Sequence, residues 1–311
     1  MSGAELAQTW PSKPIRIEVG FAPGGGTDIV ARAIAPKMGE ILSQSIIVEN
    51  KAGAAGTIAA DFVAKSAPDG YTLLMGHSNS NAISLYVLKV PYNPTTDFTA
   101  ITYVGYVPNV LAIHPSLPAK IVADLVALAK AKPGIYTYGS SGIGSTQHLA
   151  GALFGKIAGV DINHVPYKGS GQAIVDLLAN QITMNFDTMP PLLEHIRAGK
   201  LRDLAISTPK RLPQLPDVPT FTEVGINGFD VTNWYSVMGP KNMPPAVVAK
   251  IDAAMQAAVN DPTIKATLDA QGVQFSSTVT TPAAFTDFVK AENAKYAKYA
   301  KLVNDLNVKA D

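Results

Sequence analysis

Apolar positions along the chain alternate between short continuous runs and stretches in which they recur every three or four residues. Residues 15–21 read as extended, 28–42 as helical, 46–49 as extended, 57–65 as helical and 72–76 as extended. That alternation is the signature of a parallel α/β sheet. In the first helical stretch Val30, Ile34, Met38 and Ile41 fall on one face, and Pro36 within it predicts a kink. A second series follows, with strands expected at 107–113, 136–138, 182–186 and 204–206. Its helices are expected at 121–131, 147–158, 173–179 and 192–198. The stretch holding Pro209, Pro213, Pro216 and Pro219 reads as a surface connection returning to the first series. A strand at 234–238 and helices at 246–259, 263–271 and 283–306 complete the pattern. The last helix carries Phe285, Phe288, Val289, Tyr296 and Leu302 on an amphipathic face.

Length supports this division, because 311 residues exceed what one core usually organises. The expectation is two α/β lobes, residues 1–107 with 232–311 forming one and 108–231 the other. A net charge of +1, with dispersed Lys and Arg, supplies no electropositive stripe for nucleic acid. No apolar run reaches the length of a membrane span, and the absence of cysteine removes disulfides and thiolate metal sites. The first eight residues show no basic or apolar segment of the signal-peptide kind. They fit either a cytoplasmic protein or an exported one that begins after its leader.

The strongest local signal is Phe21-Ala22-Pro23-Gly24-Gly25-Gly26-Thr27-Asp28, between the first strand and the first long helix. Glycines let a ligand approach the backbone, and Thr27 or Asp28 is placed to cap a helix whose free N–H groups favour an anion. An ordinary strand-to-helix turn would read the same way. A second such loop contains Ser140, Ser141, Gly142, Gly144, Ser145 and Thr146, again after a strand and before a helix. Two such loops in successive series suggest that each lobe holds one end of a small anion, beyond the carboxyl ends of the strands. Neither loop has the glycine spacing of a dinucleotide site or the Gly-Lys-Ser/Thr of a P-loop. Gly76-His77-Ser78-Asn79-Ser80 resembles a nucleophile elbow with its closing glycine replaced, which keeps an esterase using Ser78 open as an alternative. Tyr167-Lys168 precedes another helix, and Asp187 closes a strand; each is a candidate contact or an ordinary packing or capping residue. The remaining histidines show no metal-ligand spacing, so neither metal nor cofactor is expected.

Several segments together resemble the tripartite tricarboxylate transporter receptors, also called the Bug family. They include Trp10-Pro11-x-Lys13-Pro14-Ile15-Arg16, Phe21-x-Pro23-Gly24-Gly25-x-Thr27-Asp28 and Val48-Glu49-Asn50-Lys51-x-Gly53-Ala54-x-Gly56. Pro68-Asp69-Gly70-Tyr71-Thr72-Leu73, Val165-Pro166-Tyr167-Lys168-Gly169 and Pro216-Asp217-Val218-Pro219-Thr220 continue the series in the family's order. The resemblance implies a type II periplasmic-binding-protein fold with a crossing-strand hinge, and a solute-binding protein rather than an enzyme. It implies that Gly24 to Asp28 and Ser140 to Thr146 hold a ligand carboxylate, with Ser78, Asn79, Tyr167 and Lys168 lining the cleft. It further implies a periplasmic location, delivery to the permease subunits of a tripartite transporter, and Met1-Ser2-Gly3 standing where a leader was removed. A small carboxylate, with a dicarboxylate favoured, is the expected ligand and a monomer the expected state. The sensing domain of a transcription regulator shares the fold class, but no DNA-binding helices precede Ile15.

Overall fold

The computed structural model describes residues 10–305, with side-chain surroundings as far as residue 297. The Met1-Ser2-Gly3 segment and Leu306 lie outside the described residues, and so do the surroundings of Leu302. In chain order the strands are β1 (Ile15–Val19), β2 (Ile46–Asn50), β3 (Thr72–His77), β4 (Phe98–Ile113) and β5 (Thr137–Ser140). They continue with β6 (Asn163–Pro166), β7 (Met184–Thr188), β8 (Arg202–Ile206) and β9 (Thr232–Pro240). The helices are α1 (Gly26–Leu42), α2 (Thr57–Ala64), α3 (Ser84–Val87), α4 (Val122–Ala131) and α5 (Thr146–Ala158). After them come α6 (Ser170–Leu178), α7 (Met189–Arg197), α8 (Pro245–Asn260), α9 (Pro262–Ala270) and α10 (Pro282–Asp305).

Two sheets share one strand. The first runs β2-β1-β3-β9-β4, with β1 parallel to β2 and β3, and β9 antiparallel to β3 and β4. In the second, β5 is parallel to β6 and β7, while β7 and β8 flank β4 in antiparallel register. β4 serves both: Phe98 to Pro108 pair with β9, and Asn109 to Ile113 pair with β7 and β8. Pro108 stands at the junction, where a missing N–H interrupts neither ladder's interior. The first half of β4 was not expected from the sequence. Its register shifts between Ala100 and Thr102 and again between Tyr103 and Gly105, which erases the period-two alternation that announces a strand.

Each sheet is covered on both faces. In the first, one apolar cluster gathers Ile17, Val30, Ile34, Met38 and Ile251 under α1 and α8; the other gathers Ala60, Val63, Trp234, Phe285 and Tyr296 under α2 and α10. The second sheet is flanked in the same way, by Leu125, Phe154 and Phe186 on one face and Ile174, Leu177 and Leu192 on the other. α1 buries Val30, Ile34 and Met38 as its spacing requires, but Ile41 is 40% exposed at the helix's last turn. Pro36 does not end α1, because it lies on the exposed face, where the carbonyl it leaves without a donor faces water. The loops after β1, β3, β5, β6 and β7 all leave the carboxyl ends of parallel strands, and they meet between the two sheets.

Candidate functional site

Four helices from the two lobes aim their N-terminal ends at one small cavity. Gly25, the N-cap of α1, offers no side chain, so the first N–H groups of that helix are left unpaired. α6 begins after Gly169 and α7 after Thr188, each again without a side-chain cap; Ser170 and Thr188 present their hydroxyls to the cavity. α5 is capped by Ser145, but its second residue, Gln147, lines the same space. Phe21, Gly26, Thr27, His77, Ser141 and Tyr235 complete the wall. No lining residue carries a formal charge, so positive potential comes from helix ends and oriented donors. The cavity measures about 10 Å³ in the observed closure, room for about one water molecule.

Two wall residues have assignable states. The backbone N–H of Asn79 donates to His77 Nδ1 at 3.0 Å, and Ser78 Oγ lies 3.4 Å from the same atom. Burial pushes the His77 pKa down to about 3, so the ring is neutral and the occupied Nδ1 assigns its proton to Nε2. Phe21 and Tyr235 pack against it, with ring centroids 5.2 and 5.4 Å away. Tyr235 is fully buried, and its Oη makes no hydrogen bond of good geometry, although the Thr27 and Thr188 hydroxyls flank it. A buried hydroxyl left this way is costly and is a donor aimed at whatever enters the cavity.

Behind the wall a buried polar network joins the lobes. Asn79 Oδ1 accepts from the Thr146 N–H at 2.9 Å, and Asn79 Nδ2 donates to Ser141 Oγ at 3.5 Å. Asn233 Oδ1 accepts from Ser78 Oγ at 3.0 Å and from the Thr146 hydroxyl, while its amide nitrogen donates to Asn109 Oδ1 at 2.8 Å. Asn109 and Asn233 thus lock β4 to β9 where the chain crosses between sheets. Asp187 is fully buried behind Gln147 and Thr188. It accepts from Gln147 Nε2 at 3.2 Å, the Thr188 N–H at 2.7 Å and Asn185 Nδ2 at 3.1 Å. Burial raises its pKa to about 6, the donors only partly offsetting that effect.

The structure divides the predicted site residues. Phe21, Gly25, Gly26, Thr27 and Ser141 line the cavity. Gly24 and Asp28 do not: Asp28 sits in the first turn of α1 rather than capping it. It accepts from the Gly24 N–H, Arg32 Nε and Asn50 Nδ2 at 2.8 to 3.1 Å, which fixes the loop. Ser140 pairs with His164 Nε2 at 2.6 Å, Gly144 donates to His148 Nδ1, and the two stacked imidazoles shape the second loop from behind. Ser145 caps α5, and Thr146 and Asn79 lie in the inter-lobe network. Gly142, Tyr167 and Lys168 line an outer groove of about 580 Å³ with Ala54 and Leu88 of the other lobe. Tyr167 is held by its hydroxyl to Asp176 at 2.6 Å, and Lys168 is exposed. Ser78 is fully buried against Asn233 and does not reach the cavity, so the nucleophile-elbow geometry is absent. His77, Gln147, Ser170, Thr188 and Tyr235 were not singled out from sequence; only the position of Ser170 after Lys168-Gly169 hinted at a helix start.

The sequence model described as the tripartite tricarboxylate transporter family receptor matches residues 30–307. Protein BugT of Bordetella pertussis (strain Tohama I) is 38% identical over 293 residues, a span covering 94% of this chain and 89% of BugT. Among solved structures, R. palustris Rpa4515 with adipate is 35% identical with a TM-score of 0.89, covering 94% of this chain and 97% of its own. MatC from Rhodopseudomonas palustris with bound malate is 30% identical with a TM-score of 0.89, covering 94% of this chain and all of the other. The chain therefore belongs to the tripartite tricarboxylate transporter family of receptors, solute-binding proteins rather than enzymes.

Proposed function

We propose that this receptor captures a small dicarboxylate between its lobes in the periplasm and, as a closed monomer, presents it to the permease subunits of a tripartite tricarboxylate-type transporter. The observation that carries this reading is the convergence of the uncapped N-termini of α1 and α6, one from each lobe, on a cavity without a formal charge. A carboxylate there would be held by N–H groups, the His77 Nε2–H and hydroxyls, without a buried cation whose desolvation would oppose closure. The second carboxylate would extend into the outer groove toward Lys168. Relatives solved with adipate and malate support the ligand class. The cavity is too small for either molecule in the observed closure, so the seat forms with the lobes further apart, and ligand contacts to both lobes then bias the hinge.

A thermal-shift series tests this with malate, adipate, acetate and the neutral diamide of adipate. A dicarboxylate at 100 times its dissociation constant stabilises by about 2.7 kcal/mol. Shifts by dicarboxylates and none by the diamide are expected; equal shifts by acid and diamide would remove the anion reading. Tyr235→Phe deletes a hydroxyl that makes no well-formed hydrogen bond in the closed protein, so stability should hold or rise slightly. Carboxylate affinity should fall about 10- to 100-fold, the worth of a hydrogen bond to a charged group. Calorimetry showing unchanged affinity would mean the hydroxyl does not reach the ligand.

A further inference from the structure

The opposite face of β9 carries a second concavity. Successive residues of a strand point to opposite faces, and Asn233 and Tyr235 serve the cleft while Thr232 and Trp234 point away from it. On that far side lies a pocket of about 430 Å³ that straddles the hinge. Tyr103, Tyr106, Trp234 and Phe288 come from the first lobe and Phe221 and Phe229 from the second. The rings brace one another: Tyr103 meets Phe288 at 4.8 Å, Trp234 meets Phe288 at 5.6 Å, and Phe221 stacks on Phe229 at 3.9 Å. Its size and mostly apolar lining are those of a small-molecule site.

The polar groups decide the class of ligand. Glu292 and Asp230 line the pocket, and neither Lys nor Arg does. Trp234 Nε1 donates to Glu292 Oε2 at 3.1 Å, which holds that carboxylate against the rings. Lys295 stands beside them, 3.2 Å from Asp230 but 4.0 Å from Glu292, so one lysine serves two carboxylates and favours Asp230. Glu292 is left undercompensated, and burial raises its pKa. A carboxylate ligand would be repelled here, whereas an organic cation would supply the missing charge and bury its alkyl groups on the rings.

We infer that the hinge pocket between Trp234, Phe288, Phe229 and Glu292 binds a small organic ammonium ion, at a site separate from the carboxylate cleft. Trp234 reports on it directly. The chain has two tryptophans, and Trp10→Phe keeps a ring against Tyr71 while leaving Trp234 alone. With red-edge excitation of that variant, choline should change the emission saturably at millimolar concentration or below. Its uncharged isostere 3,3-dimethyl-1-butanol should bind at least about 10-fold more weakly. Glu292→Gln retains an acceptor for Trp234 and should cut choline affinity about 10-fold while leaving the alcohol unaffected. Thr222→Phe, at an exposed position on the rim, should block both. Equal binding of choline and the alcohol, or choline binding indifferent to Glu292→Gln, would overturn the cation assignment. No response to choline up to high millimolar concentration would overturn the site.

Discussion

Gly26→Ala is expected to leave a folded protein that has lost its carboxylate. Gly26 has no left-handed backbone requirement, so alanine suits its place in the first turn of α1. What alanine lacks is room. Its methyl group would fall well inside contact distance of Tyr235 Oη and 2.5 Å from Thr188 Oγ1, both buried. Tyr235 belongs to the same lobe as Gly26, and a shift of its ring should cost about 1–3 kcal/mol, the usual penalty for overpacking. Thr188 belongs to the other lobe, so the clash with it disappears only when the lobes part. The methyl group also fills the space against the free N–H groups where the anion would rest. Carboxylate affinity should fall at least about 100-fold, close to 2.8 kcal/mol. Calorimetry with whichever carboxylate gives the largest thermal shift measures it, and the double variant with Tyr235→Phe checks the clash. Removing the hydroxyl should recover the stability lost to it. An affinity within about threefold of the parent would show that the anion sits elsewhere.

This prediction depends on a side-chain meeting that the sequence does not announce. The glycine loop after the first strand was legible, because three glycines between an apolar run and a helical stripe have few other uses. Its internal division of labour was not. Asp28 looks like a cap or a ligand residue, yet it ties Gly24 to Arg32 and Asn50, a partner 22 positions away. Tyr235 and His77 are adjacent only because β9 returns from the far end of the chain to lie beside β3. A strand at 234–238 was legible, but which of its faces meets the cleft follows from sheet order, which periodicity does not encode. Thr188 and Gln147 were hidden for the same reason. Each is an unremarkable polar residue near a helix start, and only convergence of four helices makes it part of a wall.

The lobe series were legible where alternation was regular and lost where function bends the backbone. β4 was read from its second half because the first half contains two register shifts and Gly105. Beyond them the same strand leaves one sheet at Pro108 and enters another at Asn109. The polar run from Ser78 to Ser84 forms a π-helical turn after β3, and Asn79 there reaches across to Thr146. Its Ser and Asn residues are buried although their types favour surfaces. A buried polar segment of this kind is stable only when its partners are supplied from elsewhere in the fold, here Asn233, Thr146 and Asn293.

Asp187→Asn should stabilise the protein near neutral pH and do nothing in acid. A carboxyl whose pKa rises from 3.8 to about 6 on folding favours the native state while it is protonated in both states. That contribution is present below about pH 4 and is lost as pH rises through 6, when the native protein must carry a buried charge. The full difference is about 3 kcal/mol. Asparagine can keep its carbonyl toward Gln147 and Thr188 and turn its amide toward Asn185, whose own carbonyl is buried without a donor. Urea unfolding across pH 3 to 8 should therefore show two curves that coincide in acid, separate from about pH 4 and run parallel above about pH 6, with the variant higher. A constant offset would mean that Asp187 stays ionised throughout. Ligand affinity offers a second reading of the same charge. Asp187 lies directly behind the Gln147 and Thr188 wall, so its ionisation opposes an anion in the cavity. Carboxylate affinity of the parent should weaken as pH rises through 6, while that of the variant should stay level. Protonated Asp187 with the cleft occupied would then be the state in which the wall holds its ligand most tightly.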